Sequence, residues 1–214
     1  MNESSKTKYF EYIPSSPSEG MILTRLGYQK TTTIFSDEYK EKLNEIIKSG
    51  ILLCNTKGIF GRYAIIEKND KYVKLENEVI LESESLAKLL KNSIEVVLMA
   101  ATVGREITDK IHFEVKDGDA SLGVILDSVA SQTADAALDW MVGFINKLIR
   151  REGKSLTRTR YSPGYGDLPL INQKKIFDAL GLEKLGLSIT ERYMLVPEKS
   201  VIAIAGVEGI DSDE

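Results

Sequence analysis

Apolar and polar positions recur with two different periods along this chain, and the changes of period divide it into elements. Residues 1–20 are mostly polar, and Pro14-Ser15-Ser16-Pro17-Ser18 interrupts regular structure, so an irregular arm is expected there. Ser36-Asp37-Glu38 offers an N-cap and an acidic first turn. Leu43, Ile46 and Ile47 then recur at helical spacing up to Ser49, with Gly50 as the stop. Residues 51–54, 60–66, 72–75 and 79–81 read as strands, with a turn at Asn69-Asp70. Ser83 or Ser85 caps a short helix reaching Leu90. Residues 94–103 are almost continuously apolar, which predicts a strand covered on both faces. Gly104 ends it, and a helix carrying Ile107, Ile111 and Val115 follows.

The longest periodic segment spans about residues 119–151; unbroken, a helix of ~30 residues would be about 45 Å long. Leu122, Ile125, Val129, Thr133, Ala136, Trp140, Phe144 and Leu148 fall on one stripe. Ser128, Ser131, Asp135, Asp139 and Asn146 lie away from it and are small or polar. Leu138, Met141, Val142, Ile145 and Ile149 widen the apolar surface, so the C-terminal half should be deeply packed, with a polar-lined notch near Asp135. Beyond it the pattern predicts a strand over 155–161, a Gly/Pro loop over 162–170 and a helix over 172–180 closed by Gly181. Strands over 190–196 and 201–207 are joined at Pro197-Glu198-Lys199, and 208–214 reads as a frayed acidic tail. Hairpin-like strands beside separate helices, without a regular βαβ alternation, give the α+β class in a single domain over 1–214.

Composition narrows the function. With 214 residues, 43% hydrophobic, the chain can bury one sizeable core. Charged residues make up 28% and the net charge is −4, which provides no attraction to nucleic acid or an anionic membrane. No apolar run reaches the ~20 residues of a membrane span, so the cytoplasm is the expected location. One cysteine, Cys54, and one histidine, His112, rule out an intrachain disulfide and Cys/His-rich metal clusters. Cys54 reads as a small core residue, His112 as a packed or partly exposed helix residue, and Trp140 as core. Lys57-Gly58-Ile59-Phe60-Gly61 lacks P-loop spacing, and no Gly-x-Gly-x-x-Gly follows a first strand.

The most informative segment is Arg160-Tyr161-Ser162-Pro163-Gly164-Tyr165-Gly166-Asp167. Gly164 and Gly166 permit positive φ and close approach of a ligand, and Pro163 stiffens the turn. Backbone amides freed in such a turn can point at a polar ligand. Arg160 carries a planar fork suited to a carboxylate, and Tyr165 can cover a flat base. The same residues also describe an ordinary strand-to-helix turn with a structural Arg–carboxylate pair. Chemistry alone favours the ordinary turn.

A wider pattern bears on that choice. Arg160, Gly164 and Tyr165, with Pro169 four residues on, resemble the Arg-Pro-Ala-x-Gly-Tyr loop and later proline of the activation domain of cobalamin-dependent methionine synthase. Tyr161-Ser162 stands where that family has Pro-Ala. Gly186-Leu187-Ser188-Ile189-Thr190-Glu191 is similar to its Gly-Met-x-Leu-Thr-Glu segment, and Pro197-Glu198-Lys199-Ser200-Val201 to its Pro-x-x-Ser-Val turn. The likeness covers mainly residues 120–207. It implies a twisted, largely antiparallel sheet with long helices, and a site for S-adenosylmethionine. Arg160 would hold the methionine carboxylate, and Ser162, Pro163, Gly164 and Tyr165 would line the site. Ala130-Ser131-Gln132-Thr133-Ala134-Asp135-Ala136 resembles the family's Ala-x-x-x-Ala-Glu-Ala, which makes Asp135 the acidic partner of the ligand's ammonium or sulfonium.

The implied function is accessory: reductive methylation of cob(II)alamin carried by a separate cobalamin-dependent methionine synthase lacking its own activation domain. The electron would come from flavodoxin or another reductant. No catalytic residue or metal ligand of the chain's own is implied. A ligand-binding or structural subunit of a corrinoid methyltransferase complex, with a different ligand or none, is the alternative.

Overall fold

The apolar run expected to be covered on both faces becomes the centre of the fold in a computed structural model, which describes residues 7–28 and 36–210. It is strand β5, Glu95–Thr102, flanked by β2, Lys57–Lys68, and β9, Ser200–Gly209. Val96, Leu98 and Ala100 face one core and Val97, Met99 and Ala101 the other, as the two-residue period of a strand requires. The sheet extends through β3, Tyr72–Leu75, and β4, Ile80–Glu82, on one side, and through β6, Lys154–Leu156, on the other. Every strand pair in it is antiparallel. Helices and sheet are mixed without βαβ units, so the α+β class holds.

Helix α5, Ala120–Ile149, lies across one face of the sheet. The Asp119 side chain caps it by accepting from the amides of Ser121 (2.9 Å) and Leu122 (3.2 Å). Its C-terminal half packs Ala137, Leu138, Met141, Ile145 and Ile149 against Ala203, Ala205 and Val207 of β9. Small residues bring helix and sheet close together. A Cβ on Gly58 would stand 2.6 Å from Ile13 Cδ1 and 2.7 Å from Met141 Sδ. The N-terminal half meets α2, Asp37–Leu52, and α4, Arg105–Asp117, through Ile125, Leu126, Val129 and Ala130. The opposite face of the sheet is covered by α3, Glu84–Leu89, and α6, Asn172–Leu180. Near the N-terminus, α1, Glu19–Arg25, adds Ile22 to the cluster around Leu43 and Val129.

Several local expectations change in the folded chain. Within the expected irregular arm, Thr7–Phe10 forms β1 on β2, and Phe10 joins Phe60, Trp140 and Phe144 in an aromatic cluster. Residues 1–6 of the arm lie outside the described residues. Helix α2 runs through Gly50 to Leu52, so residues 51–54 are not a strand. Gly50 is small because Leu126 Cδ2 stands 2.9 Å from where its Cβ would be, not because the helix stops there. On α5 the buried face is rotated from the stripe read in the sequence: Trp140 and Phe144 are partly buried, Leu148 is 46% exposed and Ser128 is buried. The strand over 155–161 shortens to β6, and only Tyr161 pairs again, with Ile204. The strands expected over 190–196 and 201–207 form no hairpin: Leu195–Val196 (β8) pairs with Ser188–Ile189 (β7) instead. Glu208 and Gly209 belong to β9 rather than to a tail, paired with Ser155 and Lys154, while 211–214 lie outside the described residues.

Candidate functional site

A cleft of about 520 Å³ opens where α5, the loop after Tyr161 and β9 meet. Asp135 and Leu138 of α5 form one wall, and Arg160, Tyr161, Ser162, Pro163 and Tyr165 form another. Gln173 of α6 and the segment 200–203 of β9 complete it. Five of the six residues singled out in the sequence thus meet in one place, and the notch expected near Asp135 is there. Gly164 is not on the lining. With φ at 90°, it turns the chain instead, and a Cβ there would sit 3.0 Å from Leu170 Cδ1.

The loop is held from below. Asp167 accepts from the Ser83 hydroxyl (2.6 Å) and from the amides of Glu84 (2.6 Å) and Ser85 (3.2 Å), at the open N-terminus of α3. The Ser83 hydroxyl first, then these neighbouring donors, hold its carboxyl well below the usual carboxylate range. Tyr161 donates to the same carboxylate at 3.4 Å, and its hydroxyl occupies the space a side chain at Gly166 would need. In the sequence Asp167 stood out only as the last residue of the segment beginning at Arg160. Two of the amides expected to be free are used internally: Gly164 donates to the Leu168 carbonyl (2.9 Å) and Tyr165 to the Ser162 carbonyl (3.2 Å).

The charged groups sit on the α5 side. Arg160 donates from Nη1 to Asp139 at 2.7 Å, with the arginine side chain 27% and the aspartate 71% exposed. One nitrogen of the fork is therefore engaged, and the remaining donors stay available for a second acceptor. Asp135, one turn before Asp139, has no hydrogen-bond or ion-pair partner among the described residues. Protein packed around its carboxyl pushes its pKa up, Arg25 and Arg160 oppose this, and Asp139 adds to it. Leu138 and Gln173 were not read as site residues in the sequence, and of residues 200–203 only Ser200 and Val201 were noted, in the likeness to the Pro-x-x-Ser-Val turn.

The other candidates stay outside the cleft. His112 is exposed and lies 3.6 Å from Glu198. Burial pushes the Cys54 thiol up to about 11, which removes it as a nucleophile at neutral pH. Among the described residues no group of three His, Cys, Asp or Glu side chains is placed to hold a metal, and no helix is long and apolar enough to cross a membrane.

No protein-family model matches the sequence, and no curated protein is similar to it. The fold does have a counterpart: a solved structure of the MetH reactivation domain bound to AdoHcy. The two superpose with a TM-score of 0.66 over 97% of this chain and 80% of that one, at 14% sequence identity. The chain has the fold of a MetH reactivation domain. Within this reactivation-domain fold, the cleft lies at the end of the sheet where β9 outruns β6, and the long helix supplies its charged wall.

Proposed function

We propose that the chain binds S-adenosylmethionine in this cleft and presents it to a cobalamin held by a separate cobalamin-dependent methionine synthase that lacks an activation domain of its own. The observation that carries this reading is the presence of opposite charges on two walls of one cleft. Arg160 has donors to spare for a carboxylate, and Asp135 is an unpartnered carboxylate suited to the ammonium or sulfonium. The reactivation-domain fold, solved elsewhere with AdoHcy, supports the same ligand class. Tyr165, 71% exposed at the rim, would cover the ligand.

The chain's contribution is positioning. Arg160 and Asp135 would fix the amino-acid end, leaving the methyl-bearing sulfonium to face the partner. Oxidised cob(II)alamin would take one electron from flavodoxin or another reductant and the methyl group from the sulfonium, leaving S-adenosylhomocysteine. No group of this chain needs to act as acid, base or nucleophile, so the chain works as an accessory to the synthase rather than as a complete catalyst.

Calorimetric titration with S-adenosylmethionine tests the reading. Arg160→Ala should weaken binding by about 2 kcal/mol, roughly 30-fold, the low end for a desolvated charge pair because the guanidinium is partly exposed. No detectable heat with the native chain, alone or beside its synthase, would refute the reading.

A further inference from the structure

Four consecutive residues of β9, Ser200 to Ala203, line the cleft, although alternate side chains of a strand point to opposite faces. Ile202 packs in the core on the α6 side of the sheet and Ala203 in the core under α5. Four such neighbours can share one cleft only along their backbone edge. The pairing identifies that edge. Gly206 accepts from the Thr157 amide (2.9 Å), and Ile204 exchanges both bonds with Tyr161 (2.9 and 2.7 Å), so even-numbered residues of β9 direct their N–H and C=O away from β5. Ile202 is the next in that series. Continued by two residues, the Tyr161–Ile204 register would place Pro163 opposite Ile202. Proline has no N–H to give, and Gly164 with φ of 90° turns the chain away. The ladder stops there, and the N–H and C=O of Ile202 face the cleft with no protein partner among the described residues.

We infer that this open edge is the base-reading element of the site: the Ile202 N–H and C=O take the place of the missing strand for the amino-purine edge of an adenosyl ligand. The inference rests on the proposed function. Asp135 and Arg160 already account for the charged end of such a ligand. The part left over is flat and carries an amino donor beside a ring-nitrogen acceptor, the complement of what one extended residue displays on one side. An inosyl base, with a carbonyl and a ring N–H in those positions, presents the reverse pattern and leaves both backbone groups unpaired.

Amide hydrogen exchange of the full chain, residue by residue, reads this directly. Without ligand, the Ile202 amide should exchange faster than those of Val201 and Ala203, which are paired with β5. Saturation with S-adenosylhomocysteine should slow Ile202 by about tenfold or more and leave its two neighbours unchanged. S-inosylhomocysteine should bind roughly tenfold more weakly or worse in calorimetry. Arg160-dependent binding of S-adenosylhomocysteine with an unaltered Ile202 amide, or equal affinity for the inosyl analogue, overturns the base-reading role and leaves the proposed function standing. An Ile202 amide as protected as its neighbours in the free chain also overturns it. Absence of any binding overturns the proposed function, and this inference with it.

Discussion

Asp135 is exposed on the wall of a cleft, yet its charge is costly there, because neighbouring protein shields part of its carboxyl and Asp139 lies one turn away on the same helix. Because its folded-state pKa lies above the ordinary value, the folded chain holds that proton more tightly than the unfolded one. The corresponding stability is present below the unfolded pKa and is lost as pH rises through the folded one. Asp135→Asn should therefore raise stability at pH 7 by less than about 1 kcal/mol, since solvent screens the rim, read as a higher thermal midpoint, and change little at pH 3. The same substitution should weaken S-adenosylmethionine binding. Melting curves at the two pH values, beside calorimetry, check both halves; a variant less stable at pH 7 would show that the carboxylate has a structural partner. At this scale Asp135 and Arg160 were legible, since a charge on the small, polar side of a helix and an arginine before a Gly/Pro turn are written in side chains. Asp139 as the actual partner of Arg160 was not. Either acid one turn apart suits a long arginine, and only the backbone position of the loop decides between them.

The loop and α3 are joined through one carboxylate, and this link belongs to the elements rather than to the ligand. Asp167 closes the N-terminus of α3 and thereby holds the turn that places Ser162 and Tyr165 on the cleft. Its pKa is depressed by those donors, so the stability it provides is present above the unfolded carboxylate value and is lost as pH falls towards the folded one. Asp167→Ala should lower the midpoint at pH 7, and the gap to the native chain should narrow as pH falls below about 4, the unfolded value. A pH-independent gap would assign the loss to packing instead. Elements with caps and one dominant period were readable: α4, α5 and α6 follow from Gly104, Asp119 and Gly181 with their apolar spacing. Residues 51–54 were misread because a short apolar run serves equally as a helix end packed on a neighbouring element, and the strand read over 190–196 holds only at Leu195–Val196. In α2 that neighbour is α5, which presses on Gly50.

Across the whole molecule, α5 is both the spine of one core and a wall of the cleft, so packing far from the ligand should reach it. Met141 and Ala137 hold the helix against the sheet, and Gly58 of β2 permits that approach by offering no side chain. A methyl group at Gly58 would meet Met141 Sδ and Ile13 Cδ1 at under 3 Å, and because both side chains are fully buried, either can yield only by pushing on its packed neighbours, α5 among them. Gly58→Ala should cost about 1–3 kcal/mol of stability, the usual penalty for overfilling a packed core, read as a lower denaturant midpoint with an unchanged slope. Because Leu138 and Asp135 lie within two turns of Met141, movement of the helix alters the distance between the charged wall and the edge of β9. Affinity for S-adenosylhomocysteine should therefore fall several-fold in a residue that touches no ligand, roughly the effect of losing one well-aligned hydrogen bond. If stability falls and affinity does not, the strain has gone to Ile13 rather than to the helix. In that case the cleft is set by the loop alone, which Asp167→Ala would then expose as the larger effect on binding.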